Sequence, residues 1–204
     1  MLTIPKDSSP KKNKHQIKTE ATLRDLLDAA EKVFVREGFE KAQIENIATE
    51  FGRTRGSVYA HFKNKEDLFI ALLETRVRSR IEFTRESLAG LSPQQQRAWL
   101  RKGFTNSITE EDWYILLLEL KLFALRNKTS KARVKALYKL LSADVAQLFL
   151  DACMGDKKNV DFAAAVIRGI PSALILERQF DSALQDTSAT RGALKNIFDS
   201  IFPK

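Results

Sequence analysis

Between Gly52 and Lys65 the chain carries four cations and no carboxylate: Arg53, Arg55, Lys63 and Lys65, interleaved with Thr54, Gly56, Ser57, Tyr59 and His61. Such a set suits hydrogen bonding to a polyanion. An arginine fork at Arg55 matches guanine O6 and N7, a contact worth about 1–3 kcal/mol of base discrimination. Gly56, lacking a side chain, lets backbone or a thymine methyl approach. Tyr59, His61, Lys63 and Lys65 suit phosphates, where they orient without reading sequence. Arg53 has two options, a phosphate contact or a stem lying along its helix with the guanidinium in water. The competing reading is a solvated basic helix with no nucleic-acid role.

Bond-making chemistry is not expected. His15 and His61 are the only histidines and Cys153 the only cysteine. No HExxH, P-loop, GxSxG or glycine-rich dinucleotide turn occurs. The chain therefore predicts no enzyme, no cofactor and no metal site. Cys153 reads as a small buried side chain, with oxidation sensing as the alternative.

Presenting the basic set requires two short helices crossing steeply, as in a helix-turn-helix. The stretch from Ile44 to Phe62 meets its three demands. Ala48 is small where the backbones approach, Gly52 follows four residues later for the turn, and Ile44, Ile47, Phe51, Val58 and Phe62 are spaced to anchor both helices. Thr54 can N-cap the second helix, whose first turn then holds Arg55, Gly56 and Ser57.

Helical periodicity continues through nearly the whole chain. Leu23, Leu26, Leu27, Ala30 and Phe34 share one face, and Gly38 supplies a left-handed stop. Helices are predicted near 44–51, 55–62, 65–88, 93–104, a stretch reaching 126, 130–154, 159–180 and 188–202. No alternating β-branched run appears, so the fold class is all-α. We expect a disordered basic arm at 1–17, a three-helix DNA-binding head at 18–65 and a helical body at 66–204. The arm, with Lys11, Lys12, Lys14 and Lys18, either reaches a minor groove or is a solubilising end.

Length, 204 residues, suffices to bury a sizeable core without disulfides. Hydrophobic content of 44% with 29% charge is that of a globular protein. A net charge of +8 favours an anionic partner. No apolar run approaches ~18 residues and no signal-like h-region follows the N-terminal lysines, so neither membrane span nor anchor is expected and a cytoplasmic location is.

The stretch from about Thr19 to Leu73 resembles the TetR family of bacterial regulators. The resemblance rests on Leu27-Asp-Ala-Ala30, Phe34, Glu37-Gly-Phe39, Ile44 to Ala48, and Val58-Tyr-Ala-His-Phe-Lys-Asn-Lys-Glu-Asp-Leu68. It implies a DNA-binding head on a ligand-binding, dimerising helical body, with DNA contacts at Thr54, Arg55, Gly56, Ser57, Tyr59, His61 and Lys65. Three positions depart from the family pattern. Ala42 and Gln43 stand where threonines are common, Arg53 where an apolar residue is usual, and Glu45 where a basic one is frequent.

In a TetR-like layout the apolar segment Trp113–Leu125 lines an effector cavity. Phe104, Trp113, Leu117, Glu119, Leu120 and Phe123 are its candidate wall, and Arg168, the only charge between Phe162 and Leu176, is the expected partner of a buried Glu119. Ala163, Ala164, Ala165, Gly169 and Ala173, with Pro171 as a kink, and then Leu194, Ile197, Phe198 and Ile201 resemble the family's four-helix dimer interface. The expected function is a homodimeric repressor released from double-stranded operator DNA by a small-molecule effector. A basic architectural DNA protein without an effector is the alternative.

Overall fold

A computed structural model describes residues 14–152 and 154–202; the basic arm expected over residues 1–13 and the buried thiol expected at Cys153 lie outside these. The described residues form α1 (Lys14–Lys41), α2 (Ile44–Glu50), α3 (Arg55–Tyr59), α4 (Lys65–Leu88), α5 (Pro93–Asn106), α6 (Glu111–Arg126), α7 (Lys128–Asp151), α8 (Lys157–Glu177) and α9 (Thr187–Ile201), with short 3-10 turns before α6 and α9. No strand occurs among them, as the periodicity predicts.

Helix starts follow local chemistry. Asn64 accepts the Asp67 amide at the start of α4, Ser92 and Gln95 make a reciprocal capping box ahead of Pro93, and Asn127, Asp156 and Asp186 cap α7, α8 and α9. Two boundaries differ from expectation. The first helix begins at Lys14, inside the stretch assigned to the arm, and the reading helix ends at Tyr59 because Ala60 to Phe62 close as a turn.

Gly38 interrupts α1 with φ 75° and ψ 159°, after which Phe39 to Lys41 make one more turn. The backbone angle there favours glycine, and an added Cβ would also crowd Glu119 Oε1 at 3.0 Å.

Helices α1 to α4 close around Leu26, Ala30, Phe34, Ile47, Val58, Leu68, Phe69 and Leu72, all buried. This core runs on into the body, taking in Leu116, Leu120 and Ala124 of α6 and Val134 of α7. Phe39 joins the two parts, stacked on Phe69 at 4.6 Å and 4.7 Å from the Phe123 ring of α6. A second core gathers Phe104, Phe149, Phe198 and Phe202 between α5, α7, α8 and α9. A smaller one joins α4 to α7 through Ile81, Leu88, Leu137 and Leu148.

Helix α8 bears on the expectation of no membrane span without overturning it. Its stretch Asn159–Glu177 is long and apolar enough to cross a membrane by length and composition, with mean hydropathy 1.4. One face of it, through Val160, Ala164, Ile167 and Ile175, is packed in the protein core, as in many core helices. The sequence pattern hid this because Arg168 and Asp161 interrupt the apolar run.

Candidate nucleic-acid interface and ligand cavity

The turn between α2 and α3 is built by backbone. The Arg53 amide donates to the Ala48 carbonyl and the Gly52 amide to that of Thr49, each at 3.0 Å. With Gly52 at φ 69°, this pair of bonds is a Schellman stop. Thr54 then caps α3, its Oγ1 accepting from the Ser57 amide at 3.3 Å. Val58 is fully buried beneath α3, which turns Arg55, Gly56, Tyr59, Ala60 and His61 outward. A Cβ on Gly56 would meet only Thr54 Oγ1, at 3.7 Å, so no packing within the chain demands glycine here.

The basic residues divide by what already holds them. Arg55 is exposed, yet its Nη1 lies 2.5 Å from Glu45 Oε1 of α2, and this pairing helps draw the Glu45 carboxyl below its ordinary range after the helix backbone's own hydrogen bond. Arg53 lies over the Phe51 ring at 5.5 Å, with its side chain open to solvent. Lys63 and His61 are exposed. Lys65 has a structural task. Its Nζ donates to the carbonyls of Glu40 and Ala42, both at 2.9 Å, and sits 4.8 Å from the Phe39 ring centre. Burial pushes its pKa down, with Glu40 opposing. Two of its three N–H donors are thus used inside the protein. Helix α2 starts at Gln43 without a side-chain cap, in keeping with the missing threonines.

Behind the head a cavity of about 980 Å³ opens between α4, α5, α6, α7 and α8. Phe104, Trp113, Leu117, Leu120 and Arg168 line it, whereas Glu119 and Phe123 do not. The expected Glu119–Arg168 pair is absent. Glu119 Oε2 instead accepts the Phe39 amide at 2.9 Å, and Phe123 packs on Phe39. Both lie on the opposite side of α6 from the cavity, where the α1 break at Gly38 leaves an amide in need of an acceptor. Arg168 donates through Nη2 to Ser142 Oγ at 2.9 Å.

Sequence reasoning missed Lys121, Tyr138, Ser142, Tyr114, Arg76 and Arg80 in this wall. Burial, then Glu110, pushes the Tyr114 phenol up to about 12. Arg76 ties α4 to α1 through Asp28 at 2.6 Å and Glu31 at 2.5 Å, and Arg80 pairs with Glu110 while lying 5.3 Å from the Trp113 ring centre. Lys121 lies one helical turn from Leu117 on the cavity side of α6.

An exposed second helix after a glycine turn, packed across a short first helix, is the geometry of a helix-turn-helix. Residues 26–72 match the family model described as "Bacterial regulatory proteins, tetR family". The head is thus similar to that of TetR-family regulators. The HTH-type transcriptional regulator YwcC of Bacillus subtilis is 38% identical over 66 residues, 32% of this chain and 30% of that one. The HTH-type transcriptional repressor Rv1474c of Mycobacterium tuberculosis is 35% identical over 72 residues, 35% of this chain and 38% of that one. These matches thus span only about a third of the curated relatives' length. The fold is similar to that of the transcriptional regulator FadR from Bacillus subtilis in complex with stearoyl-CoA, with a TM-score of 0.62, 20% identity, and coverage of 84% of this chain and 96% of that one.

Proposed function

We propose that the protein is a homodimeric transcriptional repressor that binds a near-palindromic operator through α3 and is released by a small molecule entering the cavity. The observation that carries this reading is the double use of α6. One side of it presents Leu117 and Lys121 to the cavity, while Glu119 and Phe123 hold the end of α1 against which α2 and Lys65 are fixed. A ligand that shifts α6 therefore moves the head. It must bind the released arrangement more tightly than the DNA-bound one, since only differential affinity shifts a population. The stearoyl-CoA complex of FadR supports a ligand-holding role for a body of this fold.

On DNA, Arg55 would leave Glu45 for a guanine, with Thr54, Gly56 and Ser57 close to base edges, and Arg53, Tyr59, His61 and Lys63 on phosphates. Lys65 would offer its remaining donor. In this reading residues 18–65 are the DNA-binding unit and 66–204 the effector and dimer unit, with α4 shared. The protein would work in the bacterial cytoplasm, where its operator is.

The dimer would form on α8 and α9. Phe162 (74% exposed), Ala165, Gly169, Ala173, Leu176 and Phe180 (83% exposed) make an outward stripe along α8 and just beyond it. Ala189, Gly192 and Ala193 leave α9 low enough for close approach. Leu194 and Phe198, expected at this interface, are buried in the second core, and Ile197 and Ile201 pack against it. A two-fold pair would set the reading helices about 34–36 Å apart or a multiple of that.

The test is selection of bound sites from random DNA by the parent and by Arg55→Ala. The parent should recover a two-fold symmetric site, and the variant should lose discrimination at one base pair per half-site. Equal recovery of the same site by both proteins would reject α3 as the reading element.

A further inference from the structure

The cavity wall holds more positive charge than it neutralises. Of its four cations, Arg76 is paired with Glu31 and Arg80 with Glu110. Lys121 and Arg168 have no carboxylate partner among the described residues. Both are half-buried, and burial pushes both pKa values down, with the Arg168 charge adding to the effect on Lys121.

Their surroundings fix them in place without satisfying them. Lys121 Nζ lies 5.8 Å from the Tyr138 ring centre. Ser142 Oγ donates to the Tyr138 carbonyl and accepts from Arg168 Nη2, which orients the guanidinium. Arg168 Nη1 is buried with no acceptor. Two half-buried like charges, one with an idle donor, raise the free energy of the empty site. A compact anion there would offset that, and an arginine fork beside a lysine fits the oxygens of a carboxylate or a phosphate. Ile81, Trp99, Phe104, Leu117, Leu148 and Ile167 give the wall a large apolar area, and its other cations, Arg76 and Arg80, are already paired.

We infer that the ligand of this cavity is an amphipathic anion, with an apolar body against α4, α5 and α7 and a single carboxylate or phosphate group between Lys121 and Arg168. This rests on the reading of the protein as a ligand-responsive regulator and names the chemical class of its effector.

The chain's two tryptophans, Trp99 and Trp113, both line the cavity, so intrinsic fluorescence reports its occupancy. The full-length protein is titrated with dodecanoate, dodecyl phosphate, dodecanol and dodecyltrimethylammonium, each below its micelle concentration. At least one anion should bind about tenfold or more tightly than the alcohol, and the cation weakest. Preference for dodecanoate or for dodecyl phosphate assigns the headgroup. In Arg168→Gln, and independently in Lys121→Gln, the ratio of anion to alcohol affinity should fall toward one. Equal binding of anion and alcohol, an unchanged ratio in both variants, or no binding of any probe would overturn the inference. Operator binding measured in parallel separates the two claims. Absence of anion preference in a protein that still selects its operator rejects the ligand class alone. Anion binding without loss of operator affinity leaves the site standing and rejects ligand-driven release.

Discussion

Arg55 and Arg168 are the same residue type in opposite circumstances. Arg55 keeps 62% of its side chain in water beside the exposed Glu45, an arrangement that costs the fold almost nothing. Arg168 is half-buried, with one end bonded to Ser142 and the other idle. An exposed cation waits for a partner without penalty, so its purpose is carried by its place in a motif. A half-buried cation with no carboxylate and one idle donor is a standing cost, and its purpose is carried by the missing acceptor. The first signal can be read from sequence, whereas the second exists only once helices are packed.

The contrast can be broken at its junction first. Phe69 is fully buried, ringed by Phe34 at 4.8 Å and Phe39 at 4.6 Å, in the core that joins head to body. Phe69→Ala should cost about 3–5 kcal/mol in urea unfolding, with operator binding and tryptophan fluorescence lost in one transition. Two separate transitions would mean that head and cavity are not one cooperative unit. Gly38→Ala comes next. Its left-handed backbone and its 3.0 Å approach to Glu119 should destabilise by about 1–3 kcal/mol. Adding Glu119→Ala should remove the contact part of that loss, so the double variant should fall short of the sum of the singles.

On the exposed side, Glu45→Gln removes a competitor for Arg55 and a negative charge near the phosphates. Operator affinity should rise by up to about fivefold, the scale of an exposed ion pair. A fall would show that Glu45 aims Arg55 rather than restraining it. The smallest effect is expected from Lys63→Ala, which should lower the slope of log affinity against log salt by about 0.9 and leave the selected site unchanged.

Much of this was legible in advance, for physical reasons. Caps and glycine stops are local, so Gly52 and Thr54 correctly marked the turn after α2 and the start of α3, whereas Gly38 broke α1 without ending it. The spacing of Ile44, Ile47, Phe51 and Val58 set which face of α3 is free. What stayed hidden depends on which side of a helix meets which neighbour. Trp113 to Leu125 is apolar nearly all round, so periodicity could not say that Glu119 and Phe123 face the head while Leu117 and Lys121 face the cavity. Leu194 and Phe198 looked like an outer stripe because the apolar pattern marks a buried face without saying what buries it.

The stop between α2 and α3 has a consequence for how such a protein can be altered. The angle of the reading helix is held by two main-chain hydrogen bonds, by Gly52, around whose missing Cβ nothing lies within 4 Å, and by Ala48 and Val58 facing inward. None of these parts meets a base. Orientation and recognition are therefore independent variables. The outward side chains at 53, 55, 56 and 59 can be exchanged, by drift or by an engineer, to address a different operator while the scaffold that aims them is left intact.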